Sequence, residues 1–553
     1  MRTLTNMKKI FASLLFACIL FFQLNAQTVF ENHNSEVYQF LGRMSQKGLV
    51  EFNDLILPLD RNTITKSLIE LQKNTNLLSL IEKQELTFYL QEYVPIPFTK
   101  EGVEQTSFFK KDANGRFRTF QAVNNNFYIT ADPLIQAAST NYNKINFTQK
   151  AIGVQLWGKI GNHIGFQFST KDVSENRDGF SSDAKIYNGP RTGFVNLIYD
   201  ETSKKINYNE TIANIGYSWK NGSINIGENF MLWGYGENGR IVLSDKAPVS
   251  PYIRIDYQPL KWLKFNYAHL WLNSSIIDSS TTYSFNNTVY GGTRITFVPK
   301  FFATHSITLT PTKGFDISFG ESMVYSDKIN PALLIPIMYF KAVDNNQSNY
   351  NLLAGNNGQL FFQMSLKNKP KNTHLYSTLF IDEIRIAEMF NPSKSRNQLG
   401  YNIGGAITDF VLPYITVYAE YTKVLPSVYG NLNPAQTYTS YGANLGDWMG
   451  NNFDRLLFGA KYTPIAKLKL DAHFQFIRKG AQTTVDQQYL DSPQPTFLFN
   501  KLYNQRELYL NGSYEIKNNI YIKANFRTIN TIYPNQITNS IFNSYSLGVN
   551  FGL

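Results

Sequence analysis

The segment from Tyr217 to Asn273 is built from short runs of alternating apolar and polar residues, separated by turns. Ile224 and Ile226 occupy alternate positions just after Asn221-Gly222, a pair that favours a tight hairpin. Strands of about ten residues with one apolar face are typical of membrane barrels, where one face meets lipid and the other a polar lumen. The segment therefore predicts an all-β transmembrane barrel.

The same alternation recurs toward the end of the chain. It places Phe474 and Phe476 toward lipid and Asp471 and His473 toward the lumen, and Ile520 to Arg527 repeats the pattern. Short connections alternate with long loops, and the short ones are Gly161-Asn162, Asn221-Gly222, Pro259 to Lys261, Pro311 to Lys313, Lys367 to Thr373, Asp409 to Leu412, Pro464 to Ala466 and Lys517 to Asn519. With both ends of the barrel on one side, these turns predict about 18 antiparallel strands over residues 127–553.

The amino terminus predicts export from the cytoplasm. Lys8 and Lys9 precede an apolar run from Ile10 to Leu24, and Ala26 supplies a small residue before a cleavage site. We expect residues 1–26 to be a signal peptide. The one cysteine of the chain, Cys18, lies within it, so the mature protein should contain none.

Beyond this segment the longest apolar run is Ala332 to Phe340, much shorter than the roughly 20 residues of a transmembrane helix. Aromatic residues make up 15% of the chain and charged residues only 17%. For an exported chain of this composition we expect a barrel in the bacterial outer membrane. A soluble array of β-sandwiches is the alternative.

Residues 27–100 have helical rather than strand periodicity. Apolar residues recur at helical spacing from Val37 to Met44 and again from Ile64 to Leu71, and Ser79 to Glu82 is a capping-box pattern. We expect three short helices that form a periplasmic subdomain or a plug at the barrel mouth. Residues 101–126 are polar and predict a linker.

The sequence favours a protein that is not an enzyme. No phosphate-binding loop, nucleophile elbow or paired-histidine metal motif occurs in it. Asp172 to Asp183 has the spacing of a calcium loop, but Arg177 stands where the loop needs glycine. We therefore predict no catalytic residues, no metal and no cofactor, and leave calcium binding by this loop open.

The formal net charge is +11, and removal of the signal peptide leaves about +8. Such a charge attracts anionic headgroups, and it equally attracts an acidic polymer to the lumen or loops. We expect contacts with outer-membrane lipid and lipopolysaccharide, no nucleic-acid partner, and a monomer.

Several blocks of the chain resemble one protein family. Trp233 to Gly236, followed by Leu243 to Pro248, is similar to the Wzi-type capsule assembly proteins of bacterial outer membranes. His305 to Pro311 and Gly320 to Tyr325 resemble the strand pair that follows in that family, and Tyr441 to Gly450 resembles its tyrosine-rich late loop. The helical start is also similar, so the resemblance covers nearly the whole mature chain.

The resemblance implies an eighteen-stranded, non-enzymatic barrel that binds capsular polysaccharide and helps to attach capsule to the cell. Asp245, Lys246 and Tyr235 depart from the family pattern and leave the sugar specificity open. The helices also faintly resemble a surface-layer homology domain, which would grip cell-wall polymer. A porin for the diffusion of small solutes is the alternative function.

Aromatic faces and planar polar groups are what carbohydrate binding requires, and arginine or lysine would meet the acidic groups of a polymer. The candidate polysaccharide-binding residues are Trp233, Tyr235, Asn238, Arg240, Lys246, Tyr441 and Trp448. We expect the loop that carries the first five to fold toward the lumen or the outer mouth. Its glycines would permit either sugar binding there or a simple narrowing of the lumen.

Overall fold

The computed structural model describes residues 29–552 except 144, 178–194, 201–204, 286–291, 352–354, 392, 518 and 535–538. The predicted signal peptide and the final residue, Leu553, therefore lie outside the described residues. Eighteen antiparallel strands form a closed barrel, and the last strand pairs with the first. The prediction of the fold class is confirmed.

The barrel strands are long and follow one another around the wall in chain order. They are β1 (Phe127–Tyr142), β2 (Ile145–Ile160), β3 (Ile164–Arg177), β4 (Lys205–Trp219), β5 (Gly222–Asn229), β6 (Ser250–Leu260), β7 (Leu263–Leu272), β8 (Lys300–Thr312), β9 (Phe315–Ser326), β10 (Asn357–Lys367), β11 (Thr373–Glu383), β12 (Gln398–Thr408), β13 (Ile415–Val424), β14 (Phe453–Ile465), β15 (Leu468–Lys479), β16 (Tyr503–Lys517), β17 (Ile520–Ile532) and β18 (Ser540–Phe551). Shorter strands are Ile56–Leu57, Gln105–Lys111, Phe117–Val123, Val195–Asp200, Leu232–Trp233, Tyr283–Phe285, Gly292–Arg294, Thr439–Ser440 and Ala443–Asn444.

Short turns and long loops lie at opposite ends of the barrel. The eight predicted short connections all join neighbouring strands at one end, where β1 begins and β18 ends. The other end carries the long loops, among them residues 230–249 and 425–452, together with the tight turn after β1. An even strand count follows from having both barrel termini at the short-turn end.

The register of β15 separates a lipid face from a lumen face. Phe474 is 43% exposed and pairs across the outer wall with Phe458 of β14 and Leu508 of β16. The next residue, Gln475, is fully buried and donates a hydrogen bond to the Glu507 carboxylate inside. The predicted orientation of this strand is confirmed.

Because Phe474 lies at mid-strand on the lipid face, we expect Phe474→Arg to lower barrel stability by about 2–4 kcal/mol, the cost of arginine near the bilayer midplane. His473→Arg is the matched control, since His473 faces the lumen near acidic groups. The free energy of unfolding of both variants can be measured by folding them into lipid bilayers at a series of urea concentrations. Equal stability of the two variants would contradict the assigned register.

Among the described residues, three helices precede the barrel at its short-turn end: α1 (Glu36–Gln46), α2 (Arg61–Gln72) and α3 (Leu80–Tyr93). The Asp60 side chain caps α2, and Ser79 and Glu82 form the predicted capping box of α3. The apolar stripes of these helices meet in one buried cluster that contains Phe40, Leu41, Leu68 and Tyr89. Leu232 from the long loop after β5 joins this cluster, so the helices pack against an element of the barrel.

Residues 101–126 are a corrected prediction, because they contain a β-hairpin rather than only a linker. Gln105–Lys111 pairs with Phe117–Val123, and the second strand pairs with the start of β1. Arg116 and Arg118 of this hairpin are buried. Both pair with Glu92 of α3, which lies outside the segment, and this is why the segment looks merely polar when taken alone.

The described parts of the long loops contain two more helices, α4 (Phe340–Asn351) and α5 (Val485–Tyr489). Single 3₁₀ turns occur at Thr75–Leu77, Pro331–Leu334, Ile386–Glu388 and Pro434–Gln436. Among the described residues, none of the helices is long and apolar enough to cross a bilayer.

Candidate functional site

The loop between β5 and β6, residues 230–249, folds into the barrel and is called the inner loop below. Its strand Leu232–Trp233 pairs with Ile56–Leu57, the strand that connects α1 and α2. The Gly234 N–H donates to the Leu55 carbonyl at 2.9 Å. A loop from the long-loop end thus reaches the segment between the helices, so the predicted inward fold is observed.

Two glycines allow the inner loop to lie against the barrel wall. Gly234 has φ +91° and Gly239 has φ +149°, backbone conformations that side chains disfavour. A Cβ at Gly234 would collide with the Gln363 side chain of β10, and one at Gly239 with Asp447. Glycine at both positions is therefore needed for this close approach.

Below the loop, Asp54 joins the inner loop to the barrel wall. The Tyr235 hydroxyl donates to Asp54 Oδ1 at 2.6 Å, and Lys367 Nζ donates to the same oxygen at 2.5 Å and to the Phe52 carbonyl at 2.7 Å. Burial alone would raise the pKa of Asp54, but the Lys367 ammonium and its hydrogen bond outweigh it and lower the pKa to about 2. Burial, together with the Asp54 carboxylate, raises the pKa of Tyr235. Asp54 is thus an anion and Tyr235 a hydrogen-bond donor.

Above the inner loop lies the connection between β13 and β14, residues 425–452, called the late loop below. Tyr429 and Tyr438, whose rings stack 5.2 Å apart, donate to the carbonyls of Ile241 and Val242 at 2.6 and 2.7 Å. The Ser244 hydroxyl donates to the Gly446 carbonyl at 2.6 Å. The two loops therefore interlock inside the barrel through hydrogen bonds from side-chain hydroxyls to backbone carbonyls.

Strands β13 and β14 of the wall are also tied to the inner loop. The Glu237 carboxylate lies 2.5 Å from Lys461 Nζ of β14, and the backbone N–H of Glu237 donates to the Glu420 carboxylate of β13. In the late loop, Asp447 lies 2.8 Å from the Arg455 guanidinium, and both side chains are fully buried. Strands β10, β13 and β14 thus hold the interlocked loops in place.

Four of the predicted contact residues are engaged within the plug formed by these loops. Trp233 is 1% exposed and Tyr235 is 8% exposed, so neither offers a free aromatic face in this structure. Asn238 donates to the Gln475 side chain at 2.7 Å, and Arg240 donates to the Gly234 carbonyl at 2.6 Å.

The other three predicted residues differ in their surroundings. Lys246 lies 2.8 Å from the carboxylate of Asp245 and is mostly buried. The Trp448 indole N–H donates to the Asn238 carbonyl at 2.8 Å, which brings these two predicted residues together. Tyr441 is 48% exposed and lies apart from them, where its N–H donates to the Asn273 carbonyl. It is the one predicted contact residue with an exposed side chain.

Sequence reasoning missed Asp54 and Lys367, which fix the inner loop. They are 313 residues apart, and neither belongs to a motif. The only signal was the position of each charge beside a predicted strand end or link. Among the described residues, no three histidine, cysteine or acidic side chains gather as they would around a metal ion.

Comparison with solved structures places the fold among outer-membrane β-barrels. Wzi of Escherichia coli, described as an outer membrane protein involved in group 1 capsule assembly and a carbohydrate-binding β-barrel, aligns with a TM-score of 0.56 and 12% identity over 96% of this chain and 100% of its own. OccAB4 of Acinetobacter baumannii aligns with a TM-score of 0.43 and 10% identity over 76% of this chain and 97% of its own. OccK3 of Pseudomonas aeruginosa aligns with a TM-score of 0.40 and 12% identity over 76% of this chain and 95% of its own. No protein-family model matches the chain, and no curated protein matches it in sequence.

Proposed function

We propose that this chain is a non-enzymatic outer-membrane barrel that binds a surface polysaccharide and helps to hold capsule on the cell. The observation that carries the proposal is the interlocking of the inner and late loops inside the barrel. A diffusion porin requires an open lumen, whereas a binding protein can have a filled one. The shared fold with Wzi, a carbohydrate-binding barrel, supports the same reading.

In this proposal the long-loop end faces outward and the helices face the periplasm. Polysaccharide contacts concentrate on the exposed surface of the late loop, where Tyr441 presents an aromatic face to sugar C–H groups. The less exposed members of the predicted set, Trp233, Tyr235, Asn238 and Arg240, act as positioning residues of the inner loop. The inner loop in turn supports the late loop, whose Tyr429 and Trp448 donate to the carbonyls of Ile241 and Asn238. The positive net charge favours an acidic polymer.

A deletion strain tests the cellular role, because loss of a capsule-retaining protein should release surface polysaccharide into the medium. Planar-bilayer recording of the purified protein tests the alternative. We expect conductance events to be rare and small because the loops obstruct the lumen. If the purified protein forms stable, porin-like channels and the deletion strain retains its capsule, the proposal is rejected in favour of solute diffusion.

The exposed tyrosine can be tested by a single substitution. We expect Tyr441→Ala to lower polysaccharide retention several-fold, since the packing of a sugar ring on one aromatic face contributes on the order of 1 kcal/mol. Tyr441→Phe should retain most of it. Tyr283→Ala is the matched control, because Tyr283 is 52% exposed in another long loop. Equal retention by the Tyr441 and Tyr283 alanine variants would exclude Tyr441 as a contact.

A double substitution in the inner loop distinguishes direct contact from positioning. If Arg240 and Lys246 touch acidic sugars, Arg240→Gln with Lys246→Gln should weaken retention and flatten its salt dependence, because exposed charges are screened within about 8–10 Å at physiological ionic strength. If they only position the plug, the salt dependence should stay that of the wild type. The burial of both residues leads us to expect the second result.

A further inference from the structure

A cavity with a volume of about 900 Å³ lies at the short-turn end, away from the late loop. The helix α2 forms one side, and the turns β4–β5, β6–β7, β8–β9 and β10–β11 form the others. We call it the short-turn cavity. Its volume is in the range of cavities that hold small organic ligands.

The lining of this cavity has an excess of cationic side chains. Eight lysine or arginine residues line it, against five aspartate or glutamate residues. Arg254 and Lys367 have carboxylate partners at 2.8 and 2.5 Å. Within the described part of the chain, Lys66, Lys220, Lys261 and Lys264 have no carboxylate within ion-pair distance.

These four lysines come from three different elements. Lys66 lies on α2, Lys220 in the turn after β4, and Lys261 and Lys264 at the turn between β6 and β7. Lys264 is half-buried, and the carboxylates of Asp60, Asp256 and Asp316 act on its ammonium group only from beyond ion-pair distance. An anion in the cavity would be the direct partner that it lacks. Convergence of unpaired ammonium groups on one cavity is the electrostatic basis of an anion-binding site.

The rest of the lining suits a saccharide. Trp219 presents an indole ring, and Asn53, Asn62, Asn221 and Gln258 contribute amide groups. Flat aromatic surfaces pack against sugar C–H faces, and planar amides can both donate to and accept from hydroxyls. A phosphate or sulfate ion alone would use the lysines and leave this part of the lining unused.

We propose that the short-turn cavity is a second binding site, which takes a carboxylated oligosaccharide from the helix-bearing side of the barrel. The site is separate from the late-loop surface of the proposed function and does not depend on it. Its lysines would meet the carboxylates, while Trp219 and the amides would meet the sugar rings.

Calorimetric titration of the full chain in detergent micelles with oligogalacturonate tests this site. We expect binding that weakens as salt rises from low to physiological concentration, and no binding of a malto-oligosaccharide of the same length. The Lys66→Gln, Lys220→Gln, Lys261→Gln triple variant should bind about tenfold more weakly. These three side chains are exposed, so their replacement should leave the barrel folded.

The matched control is the Lys73→Gln, Lys83→Gln, Lys371→Gln variant, which removes three exposed lysines that do not line the cavity. It should bind as the wild type does. Equal losses in the two triple variants, or equal binding by both, would overturn the proposal. Inorganic phosphate is a second competitor, added at the same total charge as the oligosaccharide. If it displaces the oligosaccharide, the cavity binds simple anions only, and the proposal is overturned.

A further variant keeps this test separate from that of the proposed function. Tyr441→Ala should bind oligogalacturonate at the short-turn cavity as the wild type does, whatever its effect on polysaccharide retention. Trp219→Ala should weaken binding of the oligosaccharide by several-fold with an unchanged salt dependence, because the ring contributes no charge. Wild-type binding by Trp219→Ala would remove the saccharide part of the inference.

Discussion

Glu92→Gln should detach the helical region from the barrel at a cost of about 3–5 kcal/mol, the usual effect of removing one partner from a buried ion pair. The Glu92 carboxylate lies 2.8 Å from Arg61 of α2 and 3.0 Å from both Arg116 and Arg118 of the hairpin. Arg116 in turn donates to Asn519 in the turn between β16 and β17. One carboxylate thus connects helices, hairpin and barrel.

The pKa of Glu92 reflects the same contacts. Burial by itself would raise it, but the three guanidinium groups outweigh burial and lower it from 4.5 to about 2. A depressed carboxyl pKa is equivalent to about 3 kcal/mol of stability, present above the unfolded pKa near 4.3 and lost as the pH falls toward 2. Attachment of the helices should therefore weaken as the pH falls from about 4.5 to 2. In Glu92→Gln, the attachment should depend less on pH over this range.

Limited proteolysis of the full-length protein measures the attachment. The wild type should keep residues 30–95 largely intact, whereas Glu92→Gln should release them rapidly while the barrel keeps its heat-modifiable migration on gels. Glu101→Gln, which changes an exposed glutamate, is the matched control. Rapid release from the wild type would mean a freely moving cell-wall-binding module, in line with the surface-layer resemblance.

The barrel could be predicted from the sequence because its signals are local. Alternation along Leu468 to Phe476 and the proline or asparagine-glycine turns follow from neighbours in the chain, and they give strand number, orientation and turn positions together. The helices are equally local, since Ser79 and Glu82 form the capping box within four residues. The hairpin at residues 105–123 was missed because Arg116 and Arg118 are buried against groups outside it, among them Glu92 of α3.

The candidate site could be predicted only in part. The glycines at 234 and 239 and the aromatic residues around them indicated a loop that folds inward, and the structure shows that fold. The sequence could not show that Trp233 and Tyr235 would lose their free faces, because the groups that cover them come from residues 52–57 and from β10 and β11. Contacts over such separations depend on the closed barrel and leave no pattern in a single sequence.

Lys367→Met should loosen the inner loop and raise the conductance of the protein. Lys367 is 3% exposed and is the cation that holds Asp54 in its ionised form below Tyr235. Its removal leaves a buried carboxylate without a counter-charge, which costs about 3–5 kcal/mol. Because Asp54 also accepts the Tyr235 hydrogen bond, the strain falls on the contact between the inner loop and the segment before α2.

Hydrogen exchange over residues 232–247 and single-channel recording give the two readouts of that variant. We expect faster exchange in the loop and more frequent or larger conductance events than in the wild type. Lys369→Met is the matched control, since Lys369 lies two residues away in the exposed turn and its ammonium group donates to the Thr312 hydroxyl rather than to Asp54. It should leave both readouts unchanged.

A double variant shows whether the charge or the packing at this position holds the loop. Lys367→Met combined with Asp54→Leu replaces the pair by apolar side chains of similar volume, an exchange that is often neutral in protein interiors. We expect it to restore slow exchange and low conductance, because the buried unpaired carboxylate is gone. If Lys367→Met alone leaves exchange and conductance at wild-type values, the Asp54 contact does not hold the inner loop. If the double variant stays as loose as the single one, the hydrogen bond from Tyr235 rather than the charge pair fixes the plug.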